Sequence, residues 1–256
     1  VGSGVIVLNC AGCNPTGIVA IGGKAFIGLI IASPILIPVI FLVWIQDWHS
    51  PFYVAPRVGK NEKPFKMLKL RSMIVNADKS GVDSTSSNDK RITGVGKFIR
   101  KYKLDELSQL WNVLIGDMSL VGPRPNVKRE TDLYTSNERL LLSIRPGITD
   151  YASIVFADEG DILKDSNDPN IDYNQLIRPG KGMLGLFYVE NSNFFMDIRV
   201  CIYTAVSFVS RELSLKLVSS DLNLYGANQE IIKIAERVEP LIPRPPIGSS
   251  EIVIRR

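Results

Sequence analysis

The sequence has 256 residues, of which 45% are apolar and 22% charged, with a net charge of +4 and one histidine. That suits one domain or two small ones with a real core, and excludes a disordered tail or a fibrous repeat. Three cysteines, Cys10, Cys13 and Cys201, cannot build a disulfide framework, and the lone His49 removes most metalloenzyme arrangements and any Ser-His-Asp triad not built on it.

Residues 1–23 are Gly-rich and nearly uncharged. They show no basic n-region and read as a loose N-terminal segment or a cloning remnant, not as a signal peptide. Cys10 and Cys13 form a lone CxxC, for which a small-residue loop is a better reading than a metal site. Residues 24–48 follow as a membrane segment. Ala25 to Ile45 runs 21 residues without a charge, and as a helix it would be roughly 31 Å long, about one hydrocarbon thickness. Pro34 and Pro38 interrupt it, and the Ser33 hydroxyl is placed to bond a nearby turn carbonyl. Two readings stand: a kinked span, or a helix–break–helix that dips into one leaflet and returns to the same side. A buried core helix is the bland alternative.

Charge is uneven beyond this point. Ser50–Arg129 holds 16 Lys/Arg against 7 Asp/Glu, a net of +9, and Glu130–Asp172 holds 3 against 10, a net of −7. Arg57, Lys60, Lys63, Lys66, Lys69 and Arg71 closely follow the apolar segment. Such clusters read as contacts to anionic membrane lipid and favour the cytoplasmic side. Nucleic acid is the weaker candidate, because the block lacks aromatic interleaving and any zinc-finger pattern.

Pro64–Met73 alternates well enough for a strand or an extended arm. Asn76–Lys90 is polar and reads as a loop. Ile92–Lys103 is an amphipathic basic helix suited to a membrane surface. Leu104–Gly116 carries Leu104, Leu107, Leu110, Trp111, Leu114 and Ile115 at steps of three and four, which predicts one helix ending at Gly116. Val121-Gly-Pro-Arg-Pro125 and Arg145-Pro-Gly-Ile148 are turns set by proline and glycine. Asp158–Asp172 is acidic and loop-like. Leu184–Val209 is apolar and aromatic. Leu222–Val238 suggests a helix for packing or for self-association into a homo-oligomer, and Pro240–Pro246 an extended tail.

Taken in order, these pieces resemble the bacterial sugar transferases, and more narrowly the monotopic polyprenyl-phosphate phosphoglycosyl transferases that begin O-antigen, capsule, exopolysaccharide and glycoprotein glycans. The matching residues are Ser33-Pro34, Arg57-Val-Gly59, Pro64-Phe-Lys66, Lys69-Leu-Arg-Ser-Met73, Arg91-Ile-Thr93, Gly96, Arg100, Leu104-Asp-Glu-Leu107 and Gln109-Leu-Trp-Asn112. They continue through Gly116-Asp-Met-Ser-Leu-Val-Gly-Pro-Arg-Pro125, Arg145-Pro-Gly-Ile-Thr149, Tyr188-Val-Glu-Asn191 and Asp197. The resemblance covers roughly residues 24 to 210.

It implies a mixed α/β, largely helical, compact cytosolic domain. This domain would carry an N-terminal proline-broken re-entrant membrane helix, with Ser33 and Pro34 at the break, and interfacial amphipathic helices. The catalytic domain would occupy 49–217, and a C-terminal helix with the proline-rich tail 218–256. The implied place is the bacterial cytoplasmic membrane, facing the cytoplasm. The implied reaction transfers a sugar-1-phosphate from a UDP-sugar to polyprenyl phosphate, releasing UMP.

Adjacent acids at a helix start have a bland explanation, since both suit the positive end of the dipole. The same place also suits a nucleophile that forms an aspartyl phosphate. The resemblance makes Asp105 that nucleophile and Glu106 the Mg²⁺ ligand, and Mg²⁺ fits carboxylate and phosphate oxygens on chemical grounds. Arg71, Arg91 and Arg124 fall in matched motifs and suit a diphosphate, the alternative for each being a structural ion pair. Lys69 is a further phosphate candidate. Pro123 and Pro125 would shape the nucleotide pocket. Asp117 reads as a structural cap, and Asp197 as a residue holding the C-terminal region.

Four positions depart from the usual pattern. Leu70 replaces Phe, Ser108 replaces Pro, Lys103 replaces a small hydroxyl residue, and Asp150 replaces Gly. Lys103 is expected to lower the Asp105 pKa, and Asp150 bears on sugar specificity. The competing class is a catalytically silent membrane-anchored protein that binds lipid or polyanion.

Overall fold

The computed structural model describes residues 15–77 and 89–254. Cys10, Cys13, the first part of the Gly-rich segment and residues 78–88 of the polar loop lie outside the described residues.

The first helix, α1 (Pro15–Ile45), runs 31 residues with Pro34 and Pro38 inside it. It does not part into two helices at the prolines, which corrects the proline-broken expectation. Pro34 lacks the N–H that would serve the Ile30 carbonyl, and Ser33 Oγ donates to that carbonyl instead at 2.7 Å. One stripe of α1 is buried: Ala25, Ala32, Leu36, Val39 and Val43, at steps of seven, four, three and four. Phe26, Ile30, Ile31, Ile35, Ile37, Phe41 and Ile45 are exposed. Gly28–Ile45 is long and apolar enough to cross a membrane by length and composition. Yet the buried stripe rests on the globular part from Ala25 to Val43. Ala25 clusters with Ala55, Met67, Val113 and Met118, and Val43 with Leu70 and Ile99.

Strands β1 (Phe52–Val58) and β2 (Pro64–Leu70) pair antiparallel, from Phe52 opposite Leu70 to Val58 opposite Pro64. Met67 of β2 joins the Ala25 cluster and Leu70 the Val43 cluster, while α1 itself lies mainly against residues 110–114. Helix α2 (Gly94–Lys101) begins at Thr93, whose Oγ1 accepts the Gly96 N–H at 2.9 Å, and it ends on Arg100 and Lys101 as a helix C-terminus prefers. Ile99 is buried and Phe98 exposed, which gives the amphipathic basic helix that the spacing predicts.

The predicted helix over 104–116 is two short pieces, α3 (Leu104–Leu107) and α4 (Leu110–Leu114). Lys103, at φ +50°, turns the chain out of α2. Ser108 then breaks the run: its hydroxyl bonds the carbonyls of Asp105 and Leu68, both at 3.1 Å, competing with the helical pattern. Asn112 fixes α4 to β2 by accepting the Leu68 N–H and donating to the Lys66 carbonyl, each at 2.8 Å. Asp117 meets the same Asn112 amide at 3.4 Å, as a turn cap should.

The two proline-glycine segments are more than turns. Strand β3 (Ser119–Val121) pairs in parallel with β4 (Gly147–Thr149), Ser119 opposite Gly147 and Val121 opposite Thr149. Strands of three residues are too short to show alternation, so sequence periodicity misses them. Between them lies α5 (Lys128–Thr131).

The largest core follows. It joins α6 (Tyr151–Val155), α9 (Arg178–Asn191), α10 (Phe194–Ser207), α11 (Arg211–Leu224) and α12 (Gln229–Glu236) through residues such as Tyr151, Leu184, Met196, Val200, Val218, Leu222 and Ala235. The acidic stretch expected as a loop holds two short helices ahead of α9, α7 (Glu159–Ile162) and α8 (Pro169–Asp172). Two of its acids are structural: Asp168 caps α8, and Asp158 pairs with Arg211 and Arg237, both at 2.9 Å. Residue 217 falls inside α11, where Asp221 accepts from Tyr151 Oη and Arg199, both at 2.5 Å. Tyr188 donates to Asp197 at 2.6 Å, joining α9 to α10.

Candidate active site

Four of the residues singled out in sequence meet at one place. Asp105 stands in the single turn of α3, 9% exposed, with Lys69 Nζ of β2 at 3.9 Å from its Oδ2. Glu106, the next residue, is ion-paired with Arg124, which follows β3. Pro123 and Pro125 line the clefts on either side of Arg124.

The electrostatics come from side chains and only slightly from a helix dipole. A four-residue turn has little macrodipole to offer, so the helix-start argument gives way to neighbouring charges. Burial pushes the Asp105 carboxyl above the usual range; Lys69 pulls it down, Glu106 pushes it up, and Arg124 and Arg100 pull it down. For Glu106 burial also works upward, but Arg124 and Lys69 outweigh it and hold the group down to about 2. Burial, with repulsion from Arg124, lowers Lys69 to about 8 despite the two carboxylates. The Arg124 guanidinium is raised, first by Glu106. Lys103 acts most strongly on Glu106 among its neighbours, so its expected lowering of Asp105 is overtaken by burial.

Arg71 and Arg91 are not brought to this cluster. Arg71 grips Asp47 with Nη1 at 2.5 Å and Nη2 at 2.7 Å, and donates Nε to the Ser50 carbonyl at 2.8 Å. It thereby fastens the end of α1 to the end of β2. Arg91 pairs with Asp89 at 2.6 Å and reaches the Ala77 carbonyl at 3.0 Å. For both, the structural ion pair is what the fold displays. Ser33 and Pro34 lie in α1, at the bond described above.

Sequence reading overlooked Glu159 of α7 and Lys181 of α9. They pair with each other, and Arg124 acts on both charges. The one signal for Lys181 was a cation set between Gly180 and Gly182, three residues after Arg178. Asp150 caps α6 by accepting the Ser153 N–H at 2.6 Å and lines the same cleft as Arg124 and Lys181.

Among the described residues, no three His, Cys, Asp or Glu side chains converge as a metal cage. Two adjacent hard-oxygen donors, Asp105 and Glu106, still fit an ion that arrives with its own ligands. Mg²⁺ is of that kind, since it keeps several waters and binds through one or two carboxylates plus substrate phosphates.

Residues 22–211 match the family model described as bacterial sugar transferase. The chain is 36% identical over 201 residues to an uncharacterized sugar transferase of Haemophilus influenzae, a match covering 73% of this chain and 39% of that protein. It is 35% identical over 199 residues to the undecaprenyl-phosphate galactose phosphotransferase of Salmonella typhimurium, covering 72% and 38%. It is 30% identical over 183 residues to the UDP-N-acetylgalactosamine-undecaprenyl-phosphate N-acetylgalactosaminephosphotransferase of Aeromonas hydrophila, covering 70% and 40%. The chain thus spans about two fifths of the length of these relatives.

Proposed function

The chain belongs to the bacterial sugar transferase family, and from that membership we propose that it transfers a sugar-1-phosphate from a UDP-sugar to polyprenyl phosphate. The observation that carries the reading is the buried Asp105 carboxylate held by Lys69 beside the Glu106–Arg124 pair.

In the first half-reaction an Asp105 oxygen attacks the β-phosphorus. The bond from that phosphorus to the bridging oxygen breaks, UMP leaves with the oxygen, and the sugar phosphate remains on Asp105 as an acyl phosphate. In the second, a phosphate oxygen of the polyprenyl carrier attacks the same phosphorus. The Asp105–phosphorus bond breaks, giving polyprenyl-diphosphate-sugar and the free carboxylate. Lys69 and Arg124 balance charge on the phosphoryl oxygens, and the raised basicity of Asp105 favours attack. Mg²⁺, held through Glu106, would neutralise the diphosphate. Galactose and N-acetylgalactosamine are the sugars named for relatives.

The membrane reading follows from α1. Its exposed apolar face between Phe26 and Ile45 is suited to seat α1 in one leaflet with both flanks on the same side, and α2 offers exposed Phe98 and Tyr102 beside Lys97 and Lys101 to the interface. The exposed Lys97 and Lys101 would meet anionic lipid, and the site would face the cytoplasm. Single cysteines at positions 24 and 49 are expected to react with an impermeant thiol reagent from one side of sealed vesicles. Labelling from opposite sides would reject re-entry.

The transfer itself is tested by UMP release from purified protein given UDP-galactose or UDP-N-acetylgalactosamine, polyprenyl phosphate and Mg²⁺. Glu106→Gln is expected to lower the rate by about a hundredfold, in the range of one lost charge-stabilising group, and to move the Mg²⁺ midpoint to higher concentration. An unchanged Mg²⁺ titration would remove Glu106 as the ligand, and no UMP from the parent protein with any UDP-sugar would reject the transfer.

A further inference from the structure

Resting on the transfer reading, we propose that Asp150 reads the sugar: its buried carboxylate accepts hydroxyl donors of the hexose carried on the nucleotide diphosphate. Asp150 is 2% exposed. Ser153 supplies its two donors: the N–H, accepted at 2.6 Å as the cap of α6, and the hydroxyl, which leaves about half of a carboxylate's roughly four acceptor sites open. A cap does not need a carboxylate, because Asn or Ser serves as well. A buried carboxylate without a cation is costly. The two cations that act on it, Lys181 and Arg124, are engaged by Glu159 and Glu106. Asp150 therefore keeps acceptor capacity that the fold does not consume, and it faces a cleft.

The character of that cleft identifies the ligand. Two clefts share Pro123, Arg124, Tyr134 and Leu141. One adds Asn126, Asp150, Ser153, Tyr173 and Lys181. The other adds Val58, Pro125, Leu142, Ile144 and Pro146. With the diphosphate on Arg124, the polar branch suits a ring bearing several hydroxyls and the apolar branch suits a flat base. A carboxylate accepting two neighbouring hydroxyls is strong, charge-assisted recognition. The nucleotide's ribose carries the same hydroxyl pair, so the measurement must separate the two rings.

Isothermal titration of the full chain with UDP-galactose, UDP-glucose, their 2-acetamido counterparts and UDP does so. Asp150→Asn keeps the cap and the volume while removing the charge. Its affinity for the tightest UDP-sugar is expected to fall tenfold or more, with UDP affinity changed less than twofold. Asp150→Ser, which also caps, is expected to show the same split. Equal losses for UDP and UDP-sugar would mean that the carboxylate holds the ribose and would overturn the assignment. Unchanged affinity for every UDP-sugar would overturn it too. UMP release from the same samples reports on transfer separately: the split in binding stands or falls whether or not turnover is seen.

Discussion

Replacing Asp105 by Asn is expected to abolish UMP release and, with it, the trapping of radiolabelled phosphosugar on the protein, a loss of about a thousandfold or more in rate. The substitution is close to isosteric, so the 9%-exposed pocket and its packing are preserved. What disappears is the anionic oxygen that forms the new bond. The amide cannot substitute, because its lone pair is delocalised and it cannot accept a phosphoryl group reversibly. The Lys69 ammonium also loses the charge at 3.9 Å that favours its protonated form. Measuring both signals separates two failures. Labelling retained with a single equivalent of UMP and no polyprenyl-diphosphate-sugar would place the defect in the second half-reaction. Activity within tenfold of the parent would exclude Asp105 as nucleophile and point to direct attack by the lipid phosphate.

Gly147→Ala, outside the charged cluster, is expected to have a large effect on both stability and rate. A methyl carbon there would lie 2.1 Å from the Gly122 nitrogen and 2.5 Å from its carbonyl oxygen, both backbone atoms that cannot swing away. The β3–β4 pair must open to admit it. That loosens the Gly122 N–H to Thr149 carbonyl bond at 3.0 Å and the Gly147 N–H to Pro123 carbonyl bond at 3.1 Å. Overpacking of this kind costs about 3 kcal/mol, readable as a lower urea midpoint. Because Pro123 and Arg124 follow directly from β3, the UMP-release rate is expected to fall further than the folded fraction does. Gly94→Ala is the control: its added carbon meets nothing within 4 Å, and stability and rate should both stay near the parent. An unaltered Gly147→Ala protein would show that the close approach is dispensable.

These effects separate what was readable in the sequence from what was not. Asp105, Glu106, Arg124 and Lys69 were found because local motifs carry them, and the fold brings them together. The three guanidiniums of Arg71, Arg91 and Arg124 looked alike in sequence. What separates them is which carboxylate the fold delivers: Asp47 from the end of α1, Asp89 from two residues earlier, or Glu106 from the site. Lys181 and Glu159 were invisible because their pairing is tertiary. Strand β1 escaped notice because Pro56 argues against a strand, and it is tolerated there in a two-stranded hairpin, where each strand has an open edge. The helix expected over 104–116 failed on one hydroxyl, Ser108, whose partner Leu68 lies 40 residues away.

The grip of Arg71 on Asp47 makes α1 a depth gauge for the chemistry. Lys69 stands two residues before Arg71 on the same chain, a separation of at most about 7 Å even when fully extended. Arg71 in turn is locked to Asp47, just past the end of α1. Under the proposed transfer, the height of the Lys69 amine above the bilayer would be set by how deeply α1 is seated. A lipid-borne phosphate, confined to its own narrow plane, would then meet the site by sliding sideways, with no need to be lifted out of the membrane.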